Sequence, residues 1–118
     1  FNSDTALIAD LPVRCFSERD SVTIPVYISH FSREFSSGHG RLSWRLKSLN
    51  NSAVDLRGEM DDFELDEMEL HRKCTISCTL PELDEAVQMI LEMTLVDSEK
   101  GIEITSNQWN LWAFPGNH

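Results

Sequence analysis

Apolar and polar residues alternate along several stretches of the chain, and this alternation predicts β-strands. Every second residue is apolar in Ser21–Ser29, in Arg41–Lys47 and in Lys73–Leu80. Successive side chains of a strand point to opposite faces of its sheet, so each stretch has one apolar face to bury. We predict a strand at each of these three places.

A proline interrupts the first of the three predicted strands. Pro25 lies between Ile24 and Val26, and proline lacks the backbone N–H that a sheet uses for pairing. We therefore expect this strand to lie at the edge of its sheet, to carry a bulge, or to be unpaired on the side of the proline.

The stretch Pro81–Val96 fits two kinds of element. Some of its apolar residues recur at helical spacing, and an overlapping set alternates as in a strand. The next residues, Asp97–Gly101, have the length and composition of a turn between antiparallel strands. The turn favours a strand before it, although the periodicity alone leaves both alternatives open.

The last segment, Gly101–Pro115, contains two of the three tryptophans. Its apolar residues change parity, since Ile102 and Ile104 share one parity while Trp109, Leu111 and Ala113 share the other. A β-bulge or bend near Asn107 would reconcile the two registers.

The complete pattern predicts an all-β fold. An irregular first strand is expected in residues 1–20, and a short strand is expected from Ala53 to Arg57, ending at Gly58. With the segments above, the chain has about seven strands separated by polar turns. This is the pattern of an immunoglobulin-like antiparallel β-sandwich.

The composition is that of a folded, soluble domain. The chain has 118 residues, of which 41% are hydrophobic and 25% charged, and no apolar run approaches the roughly 20 residues of a membrane span. We predict a single domain over residues 1–118.

The chain begins Phe-Asn-Ser without an initiator Met, so we interpret it as a fragment of a larger multidomain protein. No targeting signal can be read, and the compartment stays unknown.

The net charge argues against nucleic-acid binding, and the reactive residues argue against catalysis. A net charge of −10 would repel a phosphate backbone, which disfavours nucleic acid as a partner. The four histidines lie far apart, without a nucleophile or carboxylate pattern. The acidic stretch Glu59–Arg72 matches no calcium-loop spacing, and Glu82, Asp84 and Glu85 are interpreted as a solvated turn. We expect no catalytic residue, no cofactor and no metal site.

The three cysteines, Cys15, Cys74 and Cys78, are an odd number and cannot all be paired. Cys74 and Cys78 would face the same way on one strand but roughly 13 Å apart, too far to bond to each other. We interpret the cysteines as buried free thiols, with a bridge from Cys15 to one of the others as the alternative.

Four motifs together resemble a known family. They are Gly40-Arg-Leu-Ser-Trp44, the Leu80-Pro81-Glu82-Leu83 corner, the apolar strand Met89–Leu95, and the closing Asn107-Gln-Trp109-Asn-Leu-Trp112-Ala-Phe114-Pro115. Over about residues 12–115 the chain resembles the immunoglobulin-like β-sandwich domains in bacterial proteins of the glycoside hydrolase family 2 type, which are often β-galactosidase-like. The closing motif is the specific part of the resemblance.

The resemblance implies a supporting role. In that family these domains are non-catalytic, and the glutamates that do the chemistry lie on a separate barrel domain. It implies that this chain is not itself an enzyme and that its parent protein is a glycoside hydrolase involved in carbohydrate metabolism. It also implies that a strand follows Pro81 and that the partners are other domains of the same polypeptide.

The closing segment also supplies the candidate contact residues. Trp109 and Trp112 have odd spacing and should lie on opposite faces of a strand. One would belong to the core. The other, near Asn107 and Asn110, would contact another domain or stack on a sugar whose hydroxyls bind the amides.

Three hypotheses about function therefore stay open. The chain is an accessory domain of a glycoside hydrolase, a carbohydrate-binding module with an exposed Trp, or an adhesion-type immunoglobulin-like domain. Three unpaired cysteines are unusual for the last class, whose sheets are more often joined by disulfides.

Overall fold

The computed structural model describes residues 5–11, 13–30, 39–49, 53–64, 72–97 and 101–116. Within these ranges the chain forms eight strands and no helix. The strands are β1 (Thr5–Ala9), β2 (Cys15–Ser17), β3 (Ser21–His30), β4 (His39–Ser48), β5 (Asp55–Glu64), β6 (Arg72–Thr79), β7 (Val87–Asp97) and β8 (Ile102–Phe114). They form two sheets that pack together, and the predicted all-β sandwich is confirmed.

The two sheets differ in size. One has three strands in the order β1-β3-β6, and the other has five in the order β2-β8-β7-β4-β5. Neighbouring strands are antiparallel, except that β2 runs parallel to β8. β1 and β2 thus add one short strand to each sheet, whereas the sequence predicts a single irregular strand in residues 1–20.

The core lies between the sheets and consists of the apolar residues of the alternating stretches. In β7 every odd-numbered residue from Val87 to Asp97 is buried, and the residues between them are half-buried or exposed. The largest fully buried side chains include Ile24, Leu42, Leu46, Ile76, Met89, Leu91, Met93 and Leu111. Each such side chain stabilises the fold by about 1.5–3 kcal/mol relative to exposure.

Pro25 does not mark an edge strand. Its strand, β3, is the centre of the three-stranded sheet, so that alternative is wrong. The Pro25 carbonyl accepts a hydrogen bond from the Asp10 N–H at 2.8 Å. In a strand the N–H and C=O of one residue point the same way, so the side on which Pro25 lacks an N–H is the side of β1. This position lies just beyond Ala9, where β1 ends. The proline is tolerated because the ladder stops there.

The strand favoured for Pro81–Val96 is confirmed, and two other expectations are corrected by the register. β7 occupies most of Pro81–Val96, so the helical alternative is wrong. β5 continues through Gly58 as far as Glu64 and does not end at the glycine. The β7–β8 pairing skips one residue, Ile104, so the bulge lies there and not at Asn107.

The three cysteines are free, but they are not all buried. Cys15 is exposed on β2, which contradicts the expectation for that residue. Cys74 and Cys78 are half-buried against the core. Their burial raises the pKa of both thiols, because removal from water disfavours the thiolate.

The turn between β2 and β3 connects distant parts of the chain through one carboxylate. Glu18 Oε1 accepts the Leu83 N–H at 2.9 Å, and Glu18 Oε2 accepts the Gly116 N–H. The backbone N–H of Glu18 also donates to the Phe114 carbonyl at 2.8 Å. We call this set of contacts the Glu18 junction. It joins the turn to the corner before β7 and to the chain just after β8.

Candidate functional site

The outer face of the five-stranded sheet carries the most distinctive surface of the described residues. Along β8, β7, β4 and β5 the residues between the buried ones point away from the core. The pairing places Trp112 opposite Gln88, and Gln108 opposite Glu92. This face has an apolar end and a polar centre.

The apolar end is built around two aromatic side chains. Trp112 is 37% exposed and Phe114 44% exposed on the outer side of β8, and Leu49 beyond the end of β4 is 51% exposed. We call these three residues the aromatic end. Trp112, Leu49 and Gln88 line a shallow depression of about 370 Å³. The Leu49 N–H donates to the Gln88 carbonyl at 2.9 Å, which holds the end of β4 against β7.

The structure separates the two tryptophans of the closing segment. Trp109 is half-buried and packs against the core, whereas Trp112 points outward. This follows from their odd spacing in a regular part of β8, since the bulge at Ile104 lies before both. Trp112 is therefore the member of the pair that is available to a partner.

The two asparagines are separated in the same way. Asn110 is exposed and shares the outer face with Trp112. Asn107 shares the parity of Trp109, and its Nδ2 donates to the Leu7 carbonyl of β1 at 3.0 Å. Asn107 therefore connects the two sheets, and the structure does not bring it beside Trp112.

Sequence reasoning missed Gln88 and Leu49. Both belong to other strands, and only the pairing of β7 with β8 and of β4 with β7 places them beside Trp112. Phe114 could have been found, because it shares the parity of Trp112 two residues later in the same strand.

The polar centre of the face is a shallow hollow of about 580 Å³. In the register of the sheet, Ser43 of β4 lies opposite Thr94 of β7. Arg45 of β4 lies opposite Glu92 of β7 on one side and opposite Arg57 of β5 on the other. The short side chains of Ser43 and Thr94 leave space between the longer ones. Trp44, Gly58 and Glu59 complete its lining, and we call the five residues named first the polar hollow.

Salt bridges hold the charged side chains around the hollow. Asp55 accepts hydrogen bonds from Arg45 Nε at 3.0 Å and Arg45 Nη2 at 3.2 Å, and Arg57 approaches the same carboxylate at 3.4 Å. Lys47 Nζ lies 3.4 Å from Glu92 Oε1. Hydrogen bonds from Arg45, and secondly from Arg57, lower the pKa of Asp55.

The Asp55 pKa gives a testable prediction. Since its pKa is depressed in the folded state, its ion pairs contribute stability above the ordinary aspartate pKa of about 3.9, and this contribution is lost as the pH falls through the depressed value. In an NMR titration, Arg45→Gln should raise the midpoint of the Asp55 carboxyl, and Arg57→Gln should raise it less, because the Arg57 contacts are longer. Equal midpoints in wild type and Arg45→Gln would contradict the assignment.

Among the described residues, neither the acidic corner after Pro81 nor the rest of the surface brings more charged or reactive side chains together than the polar hollow does. Glu82, Asp84 and Glu85 are exposed, and Glu82 pairs with Arg19 at 3.1 Å. The part of the acidic stretch up to Glu64 belongs to β5, and residues 65–71 lie outside the described ranges. Where the chain is described, no group of three or more His, Cys, Asp or Glu residues could hold a metal ion. No helix long and apolar enough to cross a membrane occurs among the described residues.

A comparison with protein families places the chain. Residues 20–115 match the family described as Domain of unknown function (DUF8488). The chain belongs to the DUF8488 family. No curated protein matches it.

The DUF8488 match covers the parts of the fold that carry both surfaces. It includes β3 through β8, and with them the aromatic end and the polar hollow. β1, β2 and Glu18 precede the matched range. These first residues nevertheless add an edge strand to each sheet and supply the carboxylate of the Glu18 junction.

Proposed function

We propose that this chain is a non-catalytic accessory β-sandwich of a larger glycoside hydrolase of the family 2 type. In this proposal it supports the catalytic and sugar-binding domains of the same polypeptide by packing against one of them. The aromatic end is the contact surface. The resemblance of the Asn107–Pro115 motif to that family supports the choice of parent protein, and the exposed pair Trp112 and Phe114 carries the argument for packing.

The order of the strands supports an immunoglobulin-like arrangement. The seven-strand constant type of such a sandwich sets its first, second, fourth and fifth strands in one sheet, and its third, sixth and seventh in the other. When the short strand β2 is set aside, β1, β3 and β6 are the first, second and fifth strands, and they share one sheet. β4, β7 and β8 are the third, sixth and seventh, and they share the other. β5, the fourth strand, differs from the constant type, because it lies beside β4 in this second sheet.

The aromatic end has the physical character of a contact surface. Apolar side chains that cluster on a surface, with polar residues around them, mark interaction sites more often than scattered ones do. Trp112 exposes a large ring beside Leu49, and Phe114 exposes another ring two residues further along β8. The polar side chains of Gln88 and Asn110 border Trp112. Covering this surface would contribute about 25 cal/mol for each Å² of apolar area removed from water.

The same border supports a second candidate function. An exposed indole can stack on the apolar face of a sugar ring, and neighbouring amides can bind its hydroxyls. Trp112 has Gln88 opposite it and Asn110 two residues before it. Trp112 would then be the platform of a carbohydrate-binding module and would not face a neighbouring domain.

An association experiment in trans tests the packing proposal. Residues 1–118 and the remainder of the full-length gene product are produced separately, and their binding is measured by calorimetry. We expect binding that the double variant Trp112→Ser, Phe114→Ser abolishes or weakens at least tenfold. The thermal stability of the variant chain should stay close to wild type, because both side chains are exposed.

A matched control comes from the other sheet. Ile8 is 52% exposed on β1, and Ile8→Ser should leave the association unchanged. Equal weakening by Ile8→Ser, or full binding by the double variant, would contradict the packing proposal. Binding of oligosaccharide that depends on Trp112 would favour the second candidate.

A further inference from the structure

The polar hollow belongs to a longer trough across the outer face. A second depression of about 340 Å³ lies between β7 and β8, and it shares Glu92 and Thr94 with the polar hollow. Ser106 and Gln108 of β8 line it on the far side. The trough therefore runs across four strands from β5 to β8, a width of about 15 Å at the usual spacing between strands. It lies away from the aromatic end, in the middle of the sheet.

The charges around the trough balance each other. Arg45 and Arg57 share the Asp55 carboxylate, Lys47 pairs with Glu92, and Ser43 Oγ lies 3.5 Å from Glu59 Oε2. Cationic and anionic side chains therefore both line this surface, although the chain as a whole carries a net charge of −10. An anion in the hollow would meet Glu59 and Glu92, and a metal cation would meet the two guanidinium groups.

A neutral ligand that both donates and accepts hydrogen bonds suits this mixture. Arginine side chains only donate, carboxylates only accept, and the hydroxyls of serine and threonine do both. A hydroxyl group on the ligand can satisfy any of them. A ring that carries several hydroxyls and no charge would therefore find partners along the entire trough.

The side chains are also held in place before any ligand binds. Arg45 donates two hydrogen bonds to the Asp55 carboxylate, and Lys47 Nζ lies 3.4 Å from Glu92 Oε1. Ordering long side chains on binding costs about 0.5–1.5 kcal/mol for each one that becomes immobile, so a prearranged set binds at less expense. The strands beneath them are rigid supports, because β4 and β7 are interior strands of the sheet.

We propose that the polar hollow and the trough around it bind a neutral oligosaccharide, with Arg45 donating to and Glu92 accepting from its hydroxyl groups. The site is separate from the aromatic end, so this inference and the proposed packing role can fail independently.

The test follows the backbone amides of the intact chain by NMR during titration with cellohexaose, xylohexaose and mannohexaose. For at least one of the three, we expect shifts centred on Ser43, Arg45 and Thr94, with smaller ones at Ser106 and Gln108. Arg45→Ala should weaken the affinity at least tenfold. Ser43→Tyr, which fills the hollow on a strand that favours aromatic residues, should abolish binding without unfolding the chain.

The control variant lies outside the trough, and three outcomes would contradict the proposal. Arg14→Ala removes the same charge outside the trough and should leave the affinity within twofold of wild type. The proposal is overturned if none of the three saccharides shifts the hollow at its solubility limit, or if Ser43→Tyr binds as well as wild type. Shifts centred on Trp112 would also overturn it, because they would place the sugar at the aromatic end.

Discussion

Replacing Glu18 by alanine should lower the free energy of unfolding by about 2–4 kcal/mol, because an unsatisfied, partly buried hydrogen-bonding group costs about 1–3 kcal/mol. The carboxylate accepts the backbone N–H groups of Leu83 and Gly116, and alanine offers no acceptor to either. Urea denaturation measures the change. Hydrogen exchange at the Leu83 and Gly116 amides should accelerate more than exchange in the middle of β7.

A neighbouring carboxylate provides the matched control. Glu82 pairs with Arg19 at 3.1 Å, but both side chains are largely exposed, so Glu82→Ala should cost no more than about 1 kcal/mol. Glu18→Gln keeps the length of the side chain and one acceptor oxygen, and its loss should lie between the two. If Glu18→Ala and Glu82→Ala lower stability equally, the junction is not a stabilising contact.

The strands could be predicted because their pattern is local. The alternation in Ser21–Ser29, Arg41–Lys47 and Lys73–Leu80 corresponds to β3, β4 and β6. Each strand has one face against the core, and burial of that face decides the period of two. In Pro81–Val96 the apolar residues fit both the helical and the strand period. The pairing of β7 with β4 and β8 determines that this segment forms a strand. That pairing is not a property of the segment itself.

The Glu18 junction could not be predicted for the same reason. Glu18 binds groups that lie 65 and 98 positions further along the chain. Its local sequence, Phe16-Ser17-Glu18-Arg19-Asp20, reads as a polar turn. Only the folded sandwich brings that turn to the same end as the corner before β7 and the last residues of β8.

The sequence predicts part of the aromatic end but not the polar hollow. The outward position of Trp112 follows from its spacing to Trp109 within one strand, so sequence reasoning could reach it. The polar hollow combines Arg45, Arg57 and Glu92 from three strands, and its residues read in sequence as ordinary solvent-facing positions. Asn107 shows the converse, because an amide that suggested a ligand contact in fact binds the Leu7 carbonyl.

Gly58 lies inside β5, although the sequence predicts a strand end there, and this position leads to a second large effect. Gly58 pairs with Trp44 across β4 and β5, and a Cβ at this position would lie 2.5 Å from the indole Nε1 and 2.6 Å from Cε2. Glycine inside a strand often marks such a close approach. Gly58→Val should therefore lower the free energy of unfolding by about 1–3 kcal/mol through overpacking. Denaturant unfolding and the Trp fluorescence maximum measure the change.

Two opposing effects act at Gly58, and the partner residue distinguishes them. Valine favours strands by up to about 1 kcal/mol over glycine, so without a clash the substitution would stabilise β5. In a Trp44→Leu background the indole is gone, and Gly58→Val should then be neutral or stabilising, which gives a coupling energy above about 1 kcal/mol in the double-mutant cycle. Glu59→Val, on the outer side of the same strand, adds the same residue without an indole opposite it and should lower stability little in either background. Additive effects of the two substitutions would mean that the glycine is required for the backbone of β5 and not for the space that the indole occupies.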